Sequence, residues 1–227
     1  MSSVPLPLPD DNKWALRQVV RACPKACLST LMAEDGAPYG SLVTVAIDHD
    51  LAPVLLLSGL SDHSRNIAAD HRVSVLFDGT DGHANPQTGP RVTLMGRAER
   101  CADPRLRARF LARHPGAALY ADFADFSLWR VVPERVHFVG GFGRAVWFSA
   151  PFGLSEPTNA AMVAAEPAIL GQVVPMAEGE ATVIGWDVDG VDLIRNDISF
   201  RIAFSAVAQN PEAARKSLES VLGQDPG

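Results

Sequence analysis

The sequence predicts a mainly β chain, a closed or nearly closed antiparallel barrel with a small α+β extension, and three observations carry that expectation. Through the first 150 residues, β-rich runs alternate with short turns rich in Gly, Pro, Asn and Asp. The helical stretches between them are brief, whereas a doubly wound parallel sheet needs long helices between most of its strands. Charge then changes abruptly: residues 1–150 hold 16 Lys and Arg against 15 Asp and Glu, a balance of +1, and residues 151–227 hold 4 against 11, a balance of −7. The break falls in residues 149–159, where Pro151, Gly153, Ser155 and Pro157 interrupt any regular pattern. A barrel domain over 1–150 and a small acidic α+β domain over 155–227 are therefore expected.

Each element has its own warrant. The Pro-rich residues 4–9 read as an extended arm. Residues 14–22 place Trp14, Leu16, Val19 and Val20 on one helical face, with Asp10, Asp11 or Asn12 available as cap. Residues 26–32 and 40–47 form a hairpin across 33–38, whose Asp35-Gly36 and Pro38 are turn chemistry. Residues 53–58 are too continuously apolar for a half-exposed strand and should be buried on both faces. Strands follow at 72–78 and 91–100, separated by a polar loop at 79–90 that is either mobile or a site wall. Short helices are expected at 62–69 and at 103–114, the second opened by Asp103-Pro104 as cap and first position. Runs at 127–132 and 135–139 bring the barrel to about seven strands. Beyond the break, the pattern gives a helix at 159–174, a strand at 181–188, a turn at Asp189-Gly190, a strand at 199–204 and a closing helix at 211–222.

Composition excludes several classes. A net charge of −6 argues against nucleic acid, whose phosphates are held by surplus Lys and Arg. No apolar run approaches the roughly 20 residues of a membrane helix, and the first 13 residues lack the basic start and apolar centre of a signal peptide, so a cytoplasmic location is expected. Cys23, Cys27 and Cys101 are odd in number and read as reduced thiols. All six histidines lie in the first 150 residues, but their spacing gathers none of them into a metal ligand set, and no metal is expected.

Chemistry concentrates after the buried strand. The chain leaves Leu57-Ser58, turns through Gly59-Leu60, and opens a helix with Ser61-Asp62-His63-Ser64-Arg65-Asn66. Free N–H groups and the positive dipole end make such a terminus an anion site, and Ser64, Arg65 and Asn66 add donors suited to phosphate. A simple N-cap with a solvated polar turn fits the same residues. No Ser-His-Asp order, HExxH or paired-carboxylate motif is present.

Four segments together resemble a known family: Gly-Ala-Pro-Tyr-Gly-Ser-Leu-Val-Thr (36–44), Leu-Leu-Ser-x-Leu-Ser-x-His-Ser-Arg-Asn-Ile (56–67), Pro-Arg-Val-Thr-Leu-Met-Gly-Arg-Ala-Glu (90–99) and Pro-Glu-Arg-Val-His-Phe-Val-Gly-Gly-Phe-Gly-Arg-Ala (133–145). They are similar to the pyridoxamine-5′-phosphate-oxidase-related split barrels, within them to the branch of HugZ-type haem-utilisation proteins. The resemblance implies an FMN-binding antiparallel split β-barrel and a homodimer with ligand between the two subunits. It makes Ser64, Arg65 and Asn66 phosphate contacts, with Ser58 as a neighbour; His63, by its place beside the same helix start, is a further candidate ligand contact. Arg91 falls at the strand position used near the flavin ring, although a barrel-rim arginine fits it equally. The turn Gly140-Gly141-Phe142-Gly143-Arg144 permits close backbone approach to a ligand, with Arg144 a second cation for the ring. Flavin chemistry asks the protein for placement and electrostatics only. The implied function is an FMN-dependent oxidoreductase of unidentified substrate; the alternative is a haem-binding or ligand-storing protein without flavin turnover. Where HugZ-type relatives carry a His-rich helix in the C-terminal domain, residues 166–175 contain no histidine, so the resemblance does not extend haem ligation to that domain.

Overall fold

The computed structural model describes residues 5–176 and 178–223. Val4 of the expected arm and residues 224–227 lie outside them.

The chain enters through helix α1 (Asn12–Ala22), capped where Asp11 Oδ1 accepts from the Trp14 backbone N at 2.7 Å, and this helix buries Ala15, Leu16, Val19 and Val20. Eight strands follow: β1 (Lys25–Leu31), β2 (Pro38–Thr44), β3 (Ala46–Ile47), β4 (Pro53–Ser58), β5 (Arg72–Asp78), β6 (Arg91–Arg100), β7 (Phe126–Val139) and β8 (Ala145–Ser149). They pair antiparallel in the order β2-β1-β5-β6-β7-β4-β3, with β8 added on β7. The sheet curls into the split barrel that the sequence predicts. Helices α2 (Asp62–Ala69) and α3 (Pro104–Arg113) sit between strands, the second capped by Asp103 as expected. Period-two alternation divides the sheet: Leu28, Val75, Phe77, Val92, Leu94, Val136 and Phe138 are buried inside, and their neighbours along each strand point out.

Several elements depart from expectation, each for a local reason. Residues 126–139 form one strand of 14 residues, because Pro133, which lacks an N–H, sits opposite Gly96 where the register shifts. A Cβ on Gly96 would collide with the Val132 carbonyl, so glycine admits the close approach that the bulge needs. Strand β8 was not expected; the turn 140–144 folds it back on β7. The helix expected over 159–174 is α4 (Glu156–Ala165); Glu166 keeps helical backbone angles, but Pro167 has no N–H to continue the α ladder, and the chain goes on as a short 3-10 turn over Glu166–Ala168.

The C-terminal sheet comprises β9 (Val173–Val174), β10 (Ala181–Asp187), β11 (Gly190–Arg195) and β12 (Ile198–Ala203), in the order β12-β11-β10-β9, followed by α5 (Pro211–Gly223). Strand β11 was also not expected; the Asp189-Gly190 turn leads into a hairpin return instead of a loop. One apolar cluster runs from α1 and the barrel through Phe152 and Leu154 into Val183, Trp186 and Leu193. Around it lies a buried ionic seam. Arg17 grips Asp189 through Nε and Nη2 at 2.9 and 2.8 Å, and Arg21 reaches both Asp187 and Asp189 at 3.0 and 3.1 Å. From α3, Arg113 meets Asp192 at 2.9 Å and Arg109 pairs with Glu166. Arg201 of β12 adds a bond to Asp187 at 2.7 Å.

Candidate functional site

The residues singled out in the sequence separate into two places. The first is the N-terminus of α2. Ser58, the last residue of β4, donates to Asp125 Oδ2 at 2.5 Å and accepts from the Leu60 backbone N at 3.2 Å. Ser61 donates to the Ser58 carbonyl at 2.7 Å, its Oγ lies 3.0 Å from Ser64 Oγ, and it makes no side-chain cap of its own helix. Arg65 is 62% exposed, paired with Asp62 and donating to the Leu60 carbonyl. Asn66 turns inward: its Oδ1 accepts from the Ala33 backbone N and its Nδ2 donates to Thr30 Oγ1, each at 3.0 Å. It fastens α2 to the β1–β2 hairpin. His63 Nδ1 lies 3.1 Å from Ser41 Oγ, and partial burial lowers the imidazole pKa against the opposing pull of Asp62. Two carboxylates, Asp62 and Asp125, thus stand among the hydroxyls expected to greet a phosphate.

The second place is the outward face at the far end of the sheet. Arg91 opens β6 opposite Val139, the last residue of β7, whereas Ser58 pairs with Phe126, the first. At about 3.3 Å per residue the strand between them has a contour of about 40 Å. Arg91 donates to the carbonyls of Gln87 and Gly89 at 3.3 and 3.2 Å, holding the 79–90 loop. Arg144 donates to Asn12 Oδ1 and the Pro9 carbonyl, each at 2.6 Å, so it anchors the entry arm, with its guanidinium 5.3 Å from the Phe138 ring centre. No contact within one copy joins Arg91 or Arg144 to the α2 terminus among the described residues.

Between the two places, register builds a row that sequence reasoning missed. Leu42, Cys27, Leu76, Thr93, His137 and Trp147 stand side by side across six strands on the outward face. Trp147 is 55% exposed and Leu42 76%. The His137 ring stacks on Trp147 with centroids 4.6 Å apart and planes 16° from parallel, and the Arg135 guanidinium lies 5.5 Å from the same indole. The signal was the alternation Ala145-Val146-Trp147-Phe148-Ser149 after a Gly-rich turn, which is hairpin chemistry. The other histidines are engaged or enclosed: His49 faces Glu166, His63 meets Ser41, His71 meets Arg97, His114 meets the Val45 carbonyl, and His83 buries its Nε2 in the loop. Among the described residues His137 makes no side-chain hydrogen bond, so its imidazole is available as a ligand beside an aromatic surface and a cation. A conjugated, anionic ring system fits this donor set: the indole offers its face, Arg135 a charge, and His137 a nitrogen for a metal.

Comparison with known proteins agrees with the fold. The family model for pyridoxamine 5′-phosphate oxidase matches residues 13–140. The chain is 34% identical over 147 residues to the chloroplastic non-canonical heme oxygenase HOZ of Arabidopsis thaliana, a match that covers 62% of this chain and 44% of that protein. The chain therefore spans less than half the length of this curated relative. Its fold superposes on a crystal structure from Agrobacterium tumefaciens, a protein of unknown function, with a TM-score of 0.74 and 26% identity, covering 96% of this chain and all of the other. A heme binding protein from Mycobacterium smegmatis matches with a TM-score of 0.59 and 25% identity over 94% of this chain and all of that one. Among the described residues no helix is long and apolar enough to cross a membrane. Barrel, motifs and family model together make this chain a member of the pyridoxamine 5′-phosphate oxidase family, with relatives that bind haem.

Proposed function

We propose that the chain binds haem on the outward sheet face, at the interface of a homodimer, and serves haem utilisation. The observation that carries this reading is the His137–Trp147 stack with Arg135 beside it on an exposed surface. His137 is the ligand for the iron, Trp147 the wall for the ring, and Arg135 the partner of a carboxylate. A bound haem supplies the redox chemistry, and the protein supplies placement, charge and exclusion of water. The exposed Leu42, Leu76 and Trp147 give a second copy an apolar face to cover. A second copy is also the way to bring an α2 terminus near Arg91, which one chain keeps at the other end of β7. The similarities to the Arabidopsis and mycobacterial proteins support haem as the ligand.

FMN with flavin-dependent oxidoreductase activity is the second reading, favoured by the family and by the hydroxyls at the start of α2. Absorbance separates the two. Haem titration of the purified chain should give a shifted Soret band that His137→Ala abolishes while the melting profile stays unchanged; an identical titration in the folded variant removes His137 from the site. Under the flavin reading, Arg65→Ala should weaken FMN binding about tenfold to a hundredfold, the worth of one charge-assisted phosphate contact. Light scattering that finds only a 24.3 kDa monomer at micromolar concentration would count against the shared interface.

A further inference from the structure

A cleft of about 230 Å³ opens in the C-terminal unit, remote from the barrel face discussed above. Its floor is Trp186 of β10, its walls are Ala165, Ala168 and Ile169 on one side and Pro211 on the other, and its rim carries Gln172, Glu212 and Arg215. The volume lies below the roughly 300–1,000 Å³ of sites for drug-sized molecules, so neither a tetrapyrrole nor a flavin fits within it. Its lining is mostly apolar and its rim carries charge, the pattern of a small-molecule site.

Three features define what it would take. An aromatic floor under aliphatic walls selects a flat apolar body. At the rim, Glu212 is tied to Lys216 at 2.8 Å, whereas Arg215 touches Glu219 only at 3.6 Å and both of those side chains are about 70% exposed, which leaves Arg215 free to meet an anion. The cleft also adjoins the N-terminus of α5, where Asn210 Oδ1 accepts from the Ala213 backbone N at 2.8 Å and the dipole favours negative charge. One wall is held rigid, because the neighbouring Glu166 is pinned to Arg109 of the barrel.

From the pairing of this apolar cleft with a loosely held guanidinium and the adjoining start of α5, we propose that it binds a fragment-sized aromatic carboxylate. The inference does not rest on the haem reading, and each can fail without the other. Phenylacetate serves as probe and 2-phenylethanol as its neutral counterpart, both measured on the full chain by saturation-transfer NMR. Phenylacetate should bind saturably and compete with no added haem. The alcohol should bind about two- to fivefold more weakly, and Arg215→Ala should remove that preference. Ala168 is exposed, so Ala168→Phe fills the cleft from its rim without disturbing the core; it should abolish binding while the melting profile is unchanged. Absence of saturable binding by the wild-type chain, or binding untouched by Ala168→Phe in a folded protein, overturns the proposal.

Discussion

Within the run Ser58 to Asn66, neighbouring polar residues do unlike work. Asn66 is buried and spends its amide on the β1–β2 hairpin, while Arg65, one residue earlier, stands in solvent. Asn66→Ala leaves the Ala33 N–H and the Thr30 hydroxyl without their buried partner, a change that should destabilise the fold by about 1–3 kcal/mol. Arg65→Ala should stay within about 0.5 kcal/mol, as surface substitutions do. Denaturant melts of the two variants, without ligand, read the difference directly; an Asn66→Ala chain as stable as the parent would mean that α2 is held by its apolar contacts alone. The sequence marked this stretch as a helix start with donors for an anion, and the helix is there. What local sequence does not carry is direction. Ser58 is turned to Asp125 by a contact that spans 67 residues, and Asn66 to Thr30 by one that spans 36.

Among the elements, the β6–β7 pairing is the longest among the described residues and contains the glycine at which an added Cβ would meet backbone most closely. Opposite Pro133, Gly96 brings its backbone against the Val132 carbonyl. Gly96→Ala should therefore destabilise by about 1–3 kcal/mol, the usual cost of overpacking, although alanine is ordinarily the better residue in a regular strand. A thermal melt of that variant that matches the parent would show that the bulge can open without penalty. Strands β4, β5 and β6 were legible to the residue because each is bounded by turn residues and carries either alternation or an unbroken apolar run. Strand β8 and the fusion of 127–132 with 135–139 were not. Both depend on a partner strand: Pro133 reads as a breaker until Gly96 stands across from it, and 145–149 is too short to be a strand without β7. The same dependence hid the proposed site. His137 and Trp147 are ten residues apart in sequence and meet only through the register of β7 with β8.

At the scale of the whole molecule, the change of charge near residue 150 acquires a physical meaning. Arg17 and Arg21 of α1, and Arg109 and Arg113 of α3, are spaced i,i+4 and so line one face of each helix. Those faces meet Asp187, Asp189, Asp192 and Glu166, so part of the C-terminal acidity is matched by barrel arginines out of contact with water. Burial acts to raise the Asp187, Asp192 and Glu166 carboxyls, but Arg201, Arg21, Arg113 and Arg109 together with His49 outweigh it and hold all three below the ordinary carboxylate range. A carboxylate with a depressed folded-state pKa stabilises above its unfolded value, about 4, and that contribution is lost as pH falls below it. Histidines act earlier. Burial lowers the pKa of His49 and His114, so the unfolded chain takes up protons near pH 6.5 that the native state refuses, and stability should already decline between pH 7 and 5. His49→Gln should flatten that first slope in chemical melts and leave the acid limb below pH 4 in place. The seam also sets how the chain unfolds. Asp189 is wholly buried and receives two guanidiniums, so Asp189→Ala leaves Arg17 in the interior without a carboxylate and Arg21 with Asp187 alone, a loss of about 3–5 kcal/mol. Because those arginines belong to α1, which packs on β3, β5 and β6 of the barrel, the loss cannot stay within the C-terminal unit. Calorimetry of the parent should show one transition with equal calorimetric and van't Hoff enthalpies, and Asp189→Ala should move that whole transition down. Two separated transitions, of which only one shifts in the variant, would show instead that barrel and C-terminal unit fold independently and that the seam is a contact between finished parts.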